Sequence, residues 1–411
     1  MNGWTGGQYS VFRAVFGLYL ATHFAQLLPW GGELFSSHGM LPDADASPLY
    51  PLFPNLLFVW DPPAAVTLLL CAGIALAVCL ALGAADRVAA VGLWWIWACL
   101  FTRNPLIANP SLPFVGWLLL AHACIPKKPY GSLAARGRPD PRGDWQMPAA
   151  IFAAAWIVMA VGYSYSGYTK LVSPSWRDGT AIARVLENPL ARDVPLRTLL
   201  LSLPESLVHV WTWGALALEL LFAPIALFAR ARLWLWLALL GMHLSLVALI
   251  DFADLSMGMV MLHLFTFNPA WIPPRRDAQP LRVFYDGACG LCHRAIRFLL
   301  AEDRDGKGFR YAPLASDTFA RALPAETRAA LPDSLVLVTP DGRVWTRSAA
   351  LLEAGARLGG LWRLLAAAAR IVPRGLLDRG YDFIARMRAR MFRKPDDACP
   401  LVPPDLRARF D

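Results

Sequence analysis

The sequence predicts a polytopic α-helical membrane domain of about eight spans over residues 1–272, followed by a small α/β domain over residues 281–400. A linker at 273–280 joins them, and a tail at 401–411 closes the chain. Three observations carry this division. The 411 residues are 56% hydrophobic and 17% charged with a mean hydropathy of +0.42, far from an average soluble chain. Long apolar windows fill the first two thirds of the sequence. At Pro273-Pro-Arg-Arg276 the pattern changes to short strand and helix signals.

The formal net charge is +9, and it is unevenly placed. Before Arg275 there are 15 basic and 14 acidic residues; from Arg275 onward there are 24 basic and 16 acidic. A basic domain tethered beside an anionic leaflet gains surface attraction, which accounts for the charge without nucleic acid. No basic stripe with interleaved aromatics occurs, so a nucleic-acid partner is not expected. Of seven cysteines, Cys71, Cys79, Cys99 and Cys124 sit in apolar segments and read as small buried hydrophobes. No Lys or Arg precedes the first apolar run and no small-residue cleavage site follows it, so that run reads as a retained membrane helix.

Apolar windows that approach the roughly 17 to 25 residues needed to cross a bilayer fall at about 9–29, 63–84, 88–101, 107–125, 147–169, 206–229, 231–250 and 252–268. Several are short or flanked by Pro, the pattern of re-entrant or interfacial segments. Residues 30–62 hold Glu33, Asp43, Asp45 and Asp61 and no Lys or Arg. Residues 126–144 hold Lys127, Lys128, Arg136, Arg138 and Arg142 against Asp140 and Asp144. The bias of basic residues toward the cytoplasm puts the first loop outside and the second inside. Arg230 and Arg232, then Arg275 and Arg276, also come out cytoplasmic, which leaves both termini cytoplasmic at a bacterial-type inner membrane. The loop 170–204 dissents, with Lys170, Arg177, Arg184, Arg192 and Arg197 on the outside.

Beyond the linker, Arg282–Tyr285 reads as a strand, Cys289–Glu302 as a helix and Phe309–Tyr311 as a strand. Ser334–Val338 and Val344–Thr346 form a hairpin around Asp341-Gly342, and Ala349–Leu358 is the next helix. The order β-α-β-α-β-β-α suits a thioredoxin-like sheet. An apolar segment, Leu361–Val372, and a basic helix, Tyr381–Arg393, follow. In that helix Ile384, Met387 and Met391 share a side with Arg386, Arg388, Arg390 and Arg393 around them. It either packs on the preceding domain or lies on the membrane surface.

The stretch Val283-Phe-Tyr-Asp-Gly-Ala-Cys-Gly-Leu-Cys-His293 places a Cys-x-x-Cys pair between strand and helix. At a helix start, unpaired N–H groups and the helix dipole favour the thiolate of Cys289. Cys292 lies one turn later on the same face, within reach of a mixed disulfide on Cys289. This is the pattern of dithiol redox chemistry, which requires no cofactor. The competing reading is zinc, with His293 and Cys399 completing four ligands. Cys399 also reads as a third redox cysteine or an idle tail thiol. In a reducing cytoplasm the pair suits catalysis or sensing better than a permanent disulfide.

Asp286-Gly287-x-Cys289-x-x-Cys292 resembles the DCC family (DUF393) of thiol-disulfide oxidoreductase-like domains. The match continues at Tyr311-Ala-Pro-Leu314, Asp333-Ser-Leu-Val-Leu-Val338, Asp341-Gly-Arg-Val344, Ser348-Ala-Ala350, Val372-Pro-Arg374, Tyr381 and Arg386. The resemblance implies a thioredoxin-like fold and a redox role.

In the membrane part the most unusual polar stretch is Tyr163-Ser-Tyr-Ser-Gly-Tyr-Thr-Lys170-Leu171, followed by Trp176 and Gly179. Arg13 and Glu219 sit inside apolar spans, where an unpaired charge is expensive, and they read as a structural ion pair or a catalytic one. His243 and His263, with His122, read as hydrogen-bonded core histidines or as ligands and proton relays. No metal-binding spacing occurs among them. Lys170-Leu171-x-x-x-x-Trp176-x-x-Gly179, Arg13-x-x-x-Gly17 and Glu219 followed by His243 resemble the HTTM superfamily, which includes the vitamin K-dependent γ-carboxylases. The resemblance implies that Lys170 is the candidate base toward a hydroquinone. A lysine desolvated at a bilayer edge gives up its proton more readily; the alternative is a side chain snorkelling to the headgroups. The large extramembrane region with which carboxylases hold protein substrates has no counterpart.

Three functions follow. The first is a membrane thiol-disulfide oxidoreductase of the protein-disulfide reductase type, with Cys289 as nucleophile and Cys292 as resolving thiol. The second is a quinone-linked membrane enzyme, carboxylase- or epoxidase-like, with Lys170 as base and a quinone as its ligand. The third is a non-catalytic peptide-maturation factor. The implied partners are the lipid bilayer, a cellular thiol or thioredoxin-type electron donor, and a protein or quinone substrate. The expected topology sets Lys170 at the outer face and Cys289 inside, so only a diffusible quinone would connect them.

Overall fold

The computed structural model describes residues 2–49, 53–136, 144–251, 254–277, 279–391 and 404–411. The chain divides into two compact units. One gathers Met1–Val11, Lys128–Met147 and Asn268–Asp411; the other comprises Phe12–Lys127 and Pro148–Phe267. Two segments that precede the sequence's linker therefore belong to the same unit as the C-terminal α/β fold.

The second unit is helical. Its principal elements are α1 (Gly6–Leu27, which starts in the other unit), α2 (Pro63–Leu82), α3 (Asp86–Arg103), α4 (Leu112–Cys124), α5 (Ala149–Lys170), α6 (Glu205–Leu220), α7 (Arg232–Leu249) and α8 (Asp254–Thr266). Proline opens α2, where a missing N–H costs nothing, and Gly83 closes it in a left-handed conformation with φ 69°. Helix α3 packs on α2 and α4, α5 on α6, and α8 on α4 and α7. Asp254, at the start of α8, accepts hydrogen bonds from Tyr19 Oη (2.9 Å) and Asn109 Nδ2 (3.1 Å) and pairs with His23 Nδ1 (3.0 Å). This ties α1 to α8 through polar groups that burial obliges to find partners.

Four helical stretches among the described residues are long and apolar enough to cross a membrane: Gly6–Phe35, Pro63–Leu82, Ala149–Lys170 and Arg232–Leu249. The other expected windows are helical but do not meet that measure. Helix α3 carries Asp86, Arg87 and Arg103. Helices α4 and α8 have 13 residues each, about 20 Å of rise against a core of about 30 Å. The window at 206–229 breaks at Leu221 between α6 and a short helix, Phe222–Ala226. The expected count of about eight spans is thus not confirmed.

The first unit holds a sheet of four strands in the order β2-β1-β3-β4: β1 (Leu281–Tyr285), β2 (Phe309–Pro313), β3 (Val336–Val338) and β4 (Val344–Thr346). Strand β1 runs parallel to β2 and antiparallel to β3, and β4 is antiparallel to β3. The helices are α9 (Gly290–Glu302), α10 (Arg347–Leu358), α11 (Gly360–Ala369) and α12 (Arg374–Met391). The expected strand and helix order holds, with two short helices, Asp317–Ala322 and Ala325–Ala329, between β2 and β3. The two-residue period of β1 sends Leu281, Val283 and Tyr285 into the core beneath α9 and α10, and Phe284 into the opposite core with Ala312, Phe319 and Val336. Arg409 O and Asp411 N bond the Tyr311 backbone at 3.0 and 2.9 Å, so the C-terminal residues cover the β2 edge.

The N-terminal segment joins this unit through Glu302. That buried carboxylate accepts hydrogen bonds from Gly7 N (2.8 Å), Trp362 Nε1 (2.6 Å) and Thr5 Oγ1. Gly7 N lies in the first turn of α1, where unpaired N–H groups and the helix dipole favour an anion. A Cβ on residue 7 would lie 2.6 Å from Glu302 Oε1, so a larger residue there would have to displace the carboxylate. Gln8 Oε1 accepts from Leu361 N at 2.8 Å, and Tyr9 stacks on Trp145 with centroids 4.9 Å apart. Helix α12 packs on α10, with Tyr381 Oη accepting from Leu335 N at 3.0 Å and Asp378 accepting from Ser348 N at 3.2 Å.

Candidate functional site

The central strand β1 ends at Tyr285, and the next four residues bring the chain to the start of α9. Asp286 shapes this turn: its Oδ1 accepts from Ala288 N at 2.8 Å and its carbonyl accepts from Cys289 N at 3.2 Å. Cys289 is the N-cap of α9, with extended backbone at φ −100° and ψ 117°. Cys292 follows in the first turn. Both thiols are buried, at 8% and 9% exposure, in the core beneath α9 and α10. Burial, reinforced by the neighbouring Cys289, pushes the Cys292 thiol up to about 12, while a backbone hydrogen bond from Asp286 opposes the rise. Gly287 contributes its carbonyl, which lies 2.8 Å from His293 Nε2. That contact assigns the Nε2 proton to the carbonyl and leaves Nδ1 as the other ring position.

Among the described residues no group of three or more His, Cys, Asp or Glu is arranged to hold a metal ion. His293 Nε2 is committed to Gly287. Cys399, the remaining ligand of the zinc reading and the third thiol of the redox reading, lies outside the described residues.

The membrane unit holds a second cluster. Gly167 lets α5 and α6 approach: a Cβ there would lie 2.4 Å from Leu220 N. One turn on, Lys170 Nζ forms an ion pair with Glu219 Oε2 and lies 3.3 Å from Ser166 Oγ and 4.6 Å from the Trp176 ring centroid. The partner the structure gives Glu219 is therefore Lys170, where the sequence offered Arg13; the helix register decides this, because α5 and α6 touch at Gly167. The Lys170 side chain stays partly exposed, at 22%, while Glu219 is buried. Arg13 is buried on α1. Tyr163, two turns before Lys170 on the same face, shares a hydrogen bond of 3.4 Å with His263 Nε2 and packs 5.8 Å from the His243 ring. His243 Nδ1 lies 3.2 Å from Ser256 Oγ.

Sequence reasoning thus found Cys289, Cys292, Asp286 and Gly287 in one turn, and Lys170, Trp176, Glu219 and His243 around one helix contact. It missed Tyr163 and Ser166 as members of the second cluster. Their spacing of seven and four residues before Lys170 carried the signal.

A model of the HTTM domain matches residues 6–271, and a model of the DCC1-like thiol-disulfide oxidoreductase matches residues 283–394. The C-terminal part is 35% identical over 136 residues to "Uncharacterized protein YuxK" of Bacillus subtilis (strain 168), covering 32% of this chain and 94% of that protein. No solved structure matches the chain. The HTTM match together with the apolar helices makes this a membrane protein, and the chain belongs to the HTTM domain family and carries a DCC1-like thiol-disulfide oxidoreductase domain in its C-terminal part.

Proposed function

We propose that the chain is an integral membrane thiol-disulfide oxidoreductase that uses Cys289 and Cys292 as its dithiol. The observation that carries this is the position of Cys289 as the N-cap of α9, at the end of the central strand, with Cys292 one turn on. The strand order β2-β1-β3-β4 with β1 and β2 parallel is that of a thioredoxin-like sheet. The Cys289 thiolate attacks one sulfur of a substrate disulfide and expels the other as a thiolate. Cys292 then loses its proton and attacks Cys289 Sγ, forming the Cys289–Cys292 disulfide and releasing the second substrate thiol. Two electrons pass from the protein dithiol to the substrate. The high pKa of Cys292 supports this order, because it keeps Cys292 a thiol until the mixed disulfide exists. A cellular thiol or thioredoxin-type donor restores the dithiol. The dithiol faces the cytoplasm of a bacterial-type inner membrane with both termini on that side, a reading supported by the basic 126–144 segment. Replacing Cys292 by Ser should trap substrates as mixed disulfides on Cys289; absence of any adduct in the trapping variant, with native Cys289 still alkylatable, overturns the reading.

The Lys170–Glu219 pair supports a second reading, a quinone-linked activity in the membrane unit. There Glu219 takes the ammonium proton and Lys170 Nζ then accepts a proton from a ring hydroxyl of a hydroquinone, with Trp176 beside it. Full activity of a Lys170→Ala variant would refute that role.

A further inference from the structure

An open cleft of about 660 Å³ in the α/β unit is lined by Asp333, Arg347, Arg379, Asp382 and Arg386, within the usual size of small-molecule sites. The sheet register fixes where this cleft lies. Phe284 pairs with Val336, and Val336 pairs with Thr346. The turn that leaves β1 for Cys289, the segment that leads into β3, and Arg347 at the end of β4 therefore share one edge of the sheet. Two strand spacings, about 10 Å, separate β1 from β4. Helix α12 is pinned to that edge by Tyr381 and Asp378. Its Arg379, Asp382 and Arg386, spaced at i, i+3 and i+7, thus present one face to Arg347. Arg347 itself has a left-handed backbone, φ 52°, where β4 passes into α10, and its Nε lies 3.3 Å from Asp382 Oδ1.

We propose that this cleft binds the carboxylates of a small anionic peptide thiol or its disulfide, and that this molecule is the exchange partner of the Cys289–Cys292 pair. The inference rests on the dithiol reading above. Three guanidinium groups and two carboxylates line the cleft. A short peptide thiol with two carboxylates and one ammonium group carries the complementary set, and planar guanidinium forks suit carboxylates. An extended tripeptide spans about 10 Å, the same as the two strand spacings between β1 and β4. In the reductive direction two molecules of the thiol reduce the Cys289–Cys292 disulfide. The first attacks Cys289 Sγ and leaves Cys292 as a thiol; the second attacks the mixed disulfide, releases Cys289 and departs as the small-molecule disulfide. Two electrons move to the protein, and two thiol protons end on Cys289 and Cys292.

The test uses the full chain in lipid nanodiscs, with oxidised glutathione as the anionic probe and hydroxyethyl disulfide as the neutral one. The Arg379→Ala, Arg386→Ala double variant removes two exposed side chains and leaves Arg347 and the fold intact. Its rate of oxidation by oxidised glutathione should fall roughly fivefold, the expected loss of two exposed charge contacts, while its rate with hydroxyethyl disulfide stays unchanged. Equal loss with both probes, or no loss with either, overturns the inference. S-methylglutathione, which cannot exchange, separates this inference from the dithiol reading: calorimetric binding that the double variant weakens supports the cleft even if no disulfide exchange occurs. Absence of binding to the wild-type chain refutes the cleft even if exchange proceeds.

Discussion

Alkylation of the reduced protein with iodoacetamide at pH 8 should modify Cys292 at least about tenfold more slowly than an ordinary exposed cysteine. The thiolate is the reacting species, so the rate falls with its population, offset in part by the greater nucleophilicity of a more basic thiolate. Burial and the adjacent Cys289 raise the Cys292 thiol from an ordinary 9.0 to about 12. At pH 8 a thiol at 9 is about one-tenth ionised, while one at 12 is ionised in about one molecule in ten thousand. The rate should climb about tenfold per pH unit until it levels near 12. The assay is timed quenching with peptide mass spectrometry, which reads Cys289 and Cys292 in the same sample. A Cys289→Ala variant should lower the Cys292 value only partly, because burial is the larger cause and remains. The same shift bears on stability. A thiol whose folded-state value lies above its unfolded value contributes fully below about pH 9, and its contribution declines as pH rises toward 12. If Cys292 in the folded protein reacts at pH 8 as fast as a free thiol, its burial beside Cys289 is not as described, and the attack order built on it fails.

Three further outcomes are expected. Gly167→Ala should cost about 1–3 kcal/mol of stability in detergent unfolding, because its methyl group meets Leu220 N at 2.4 Å and forces α5 from α6; an unchanged midpoint would refute the close approach. Lys170→Met alone should destabilise by about 3 kcal/mol, since it strands the buried Glu219, whereas a Lys170→Met, Glu219→Leu double variant should recover most of that loss. Equal losses in the two would mean the pair is not coupled. Glu302→Ala should raise hydrogen exchange at the amides of Gly7 and its neighbours and lower stability by about 1–3 kcal/mol, because Thr5, Gly7 and Trp362 lose one acceptor. Burial raises the Glu302 carboxyl, so in the wild type the attachment should weaken as pH rises from its unfolded value toward its folded one, and Glu302→Gln should abolish that dependence.

The α/β fold was legible because its determinants are local. Two-residue alternation in β1, the Asp286 turn and the Asp341-Gly342 hairpin each act within a few residues, and the register then follows. The position of Cys289 at the helix start was legible for the same reason. The partner of Glu219 was not, since Arg13 and Lys170 are equally plausible from composition and only the close approach at Gly167 decides between them. The count of about eight spans is not confirmed because hydropathy sees apolar length and not helix length: among the described residues α4 and α8 are apolar helices of 13 residues each. The arginine cleft escaped notice because Arg347 and Arg379 lie 32 positions apart and meet only when α12 returns to the sheet edge.

The unit that contains the thiol pair is assembled from the beginning, middle and end of the chain. Segments that pack into one body cannot lie on opposite faces of a bilayer, so the chain must cross an even number of times between Val11 and Lys128, and again between Met147 and Asn268. The four candidate spans divide two and two across these intervals, and eight would divide four and four; adding or losing a single crossing in either interval would tear the unit apart. Synthesis meets a related constraint. Thr5, Gly7 and Gln8 find their partners 297, 295 and 353 residues downstream. Until residue 302 has been synthesised the first turn of α1 keeps only its local cap, in which Thr5 Oγ1 accepts from Gln8 N at 3.3 Å, and its bonds to Glu302 and Leu361 form afterwards.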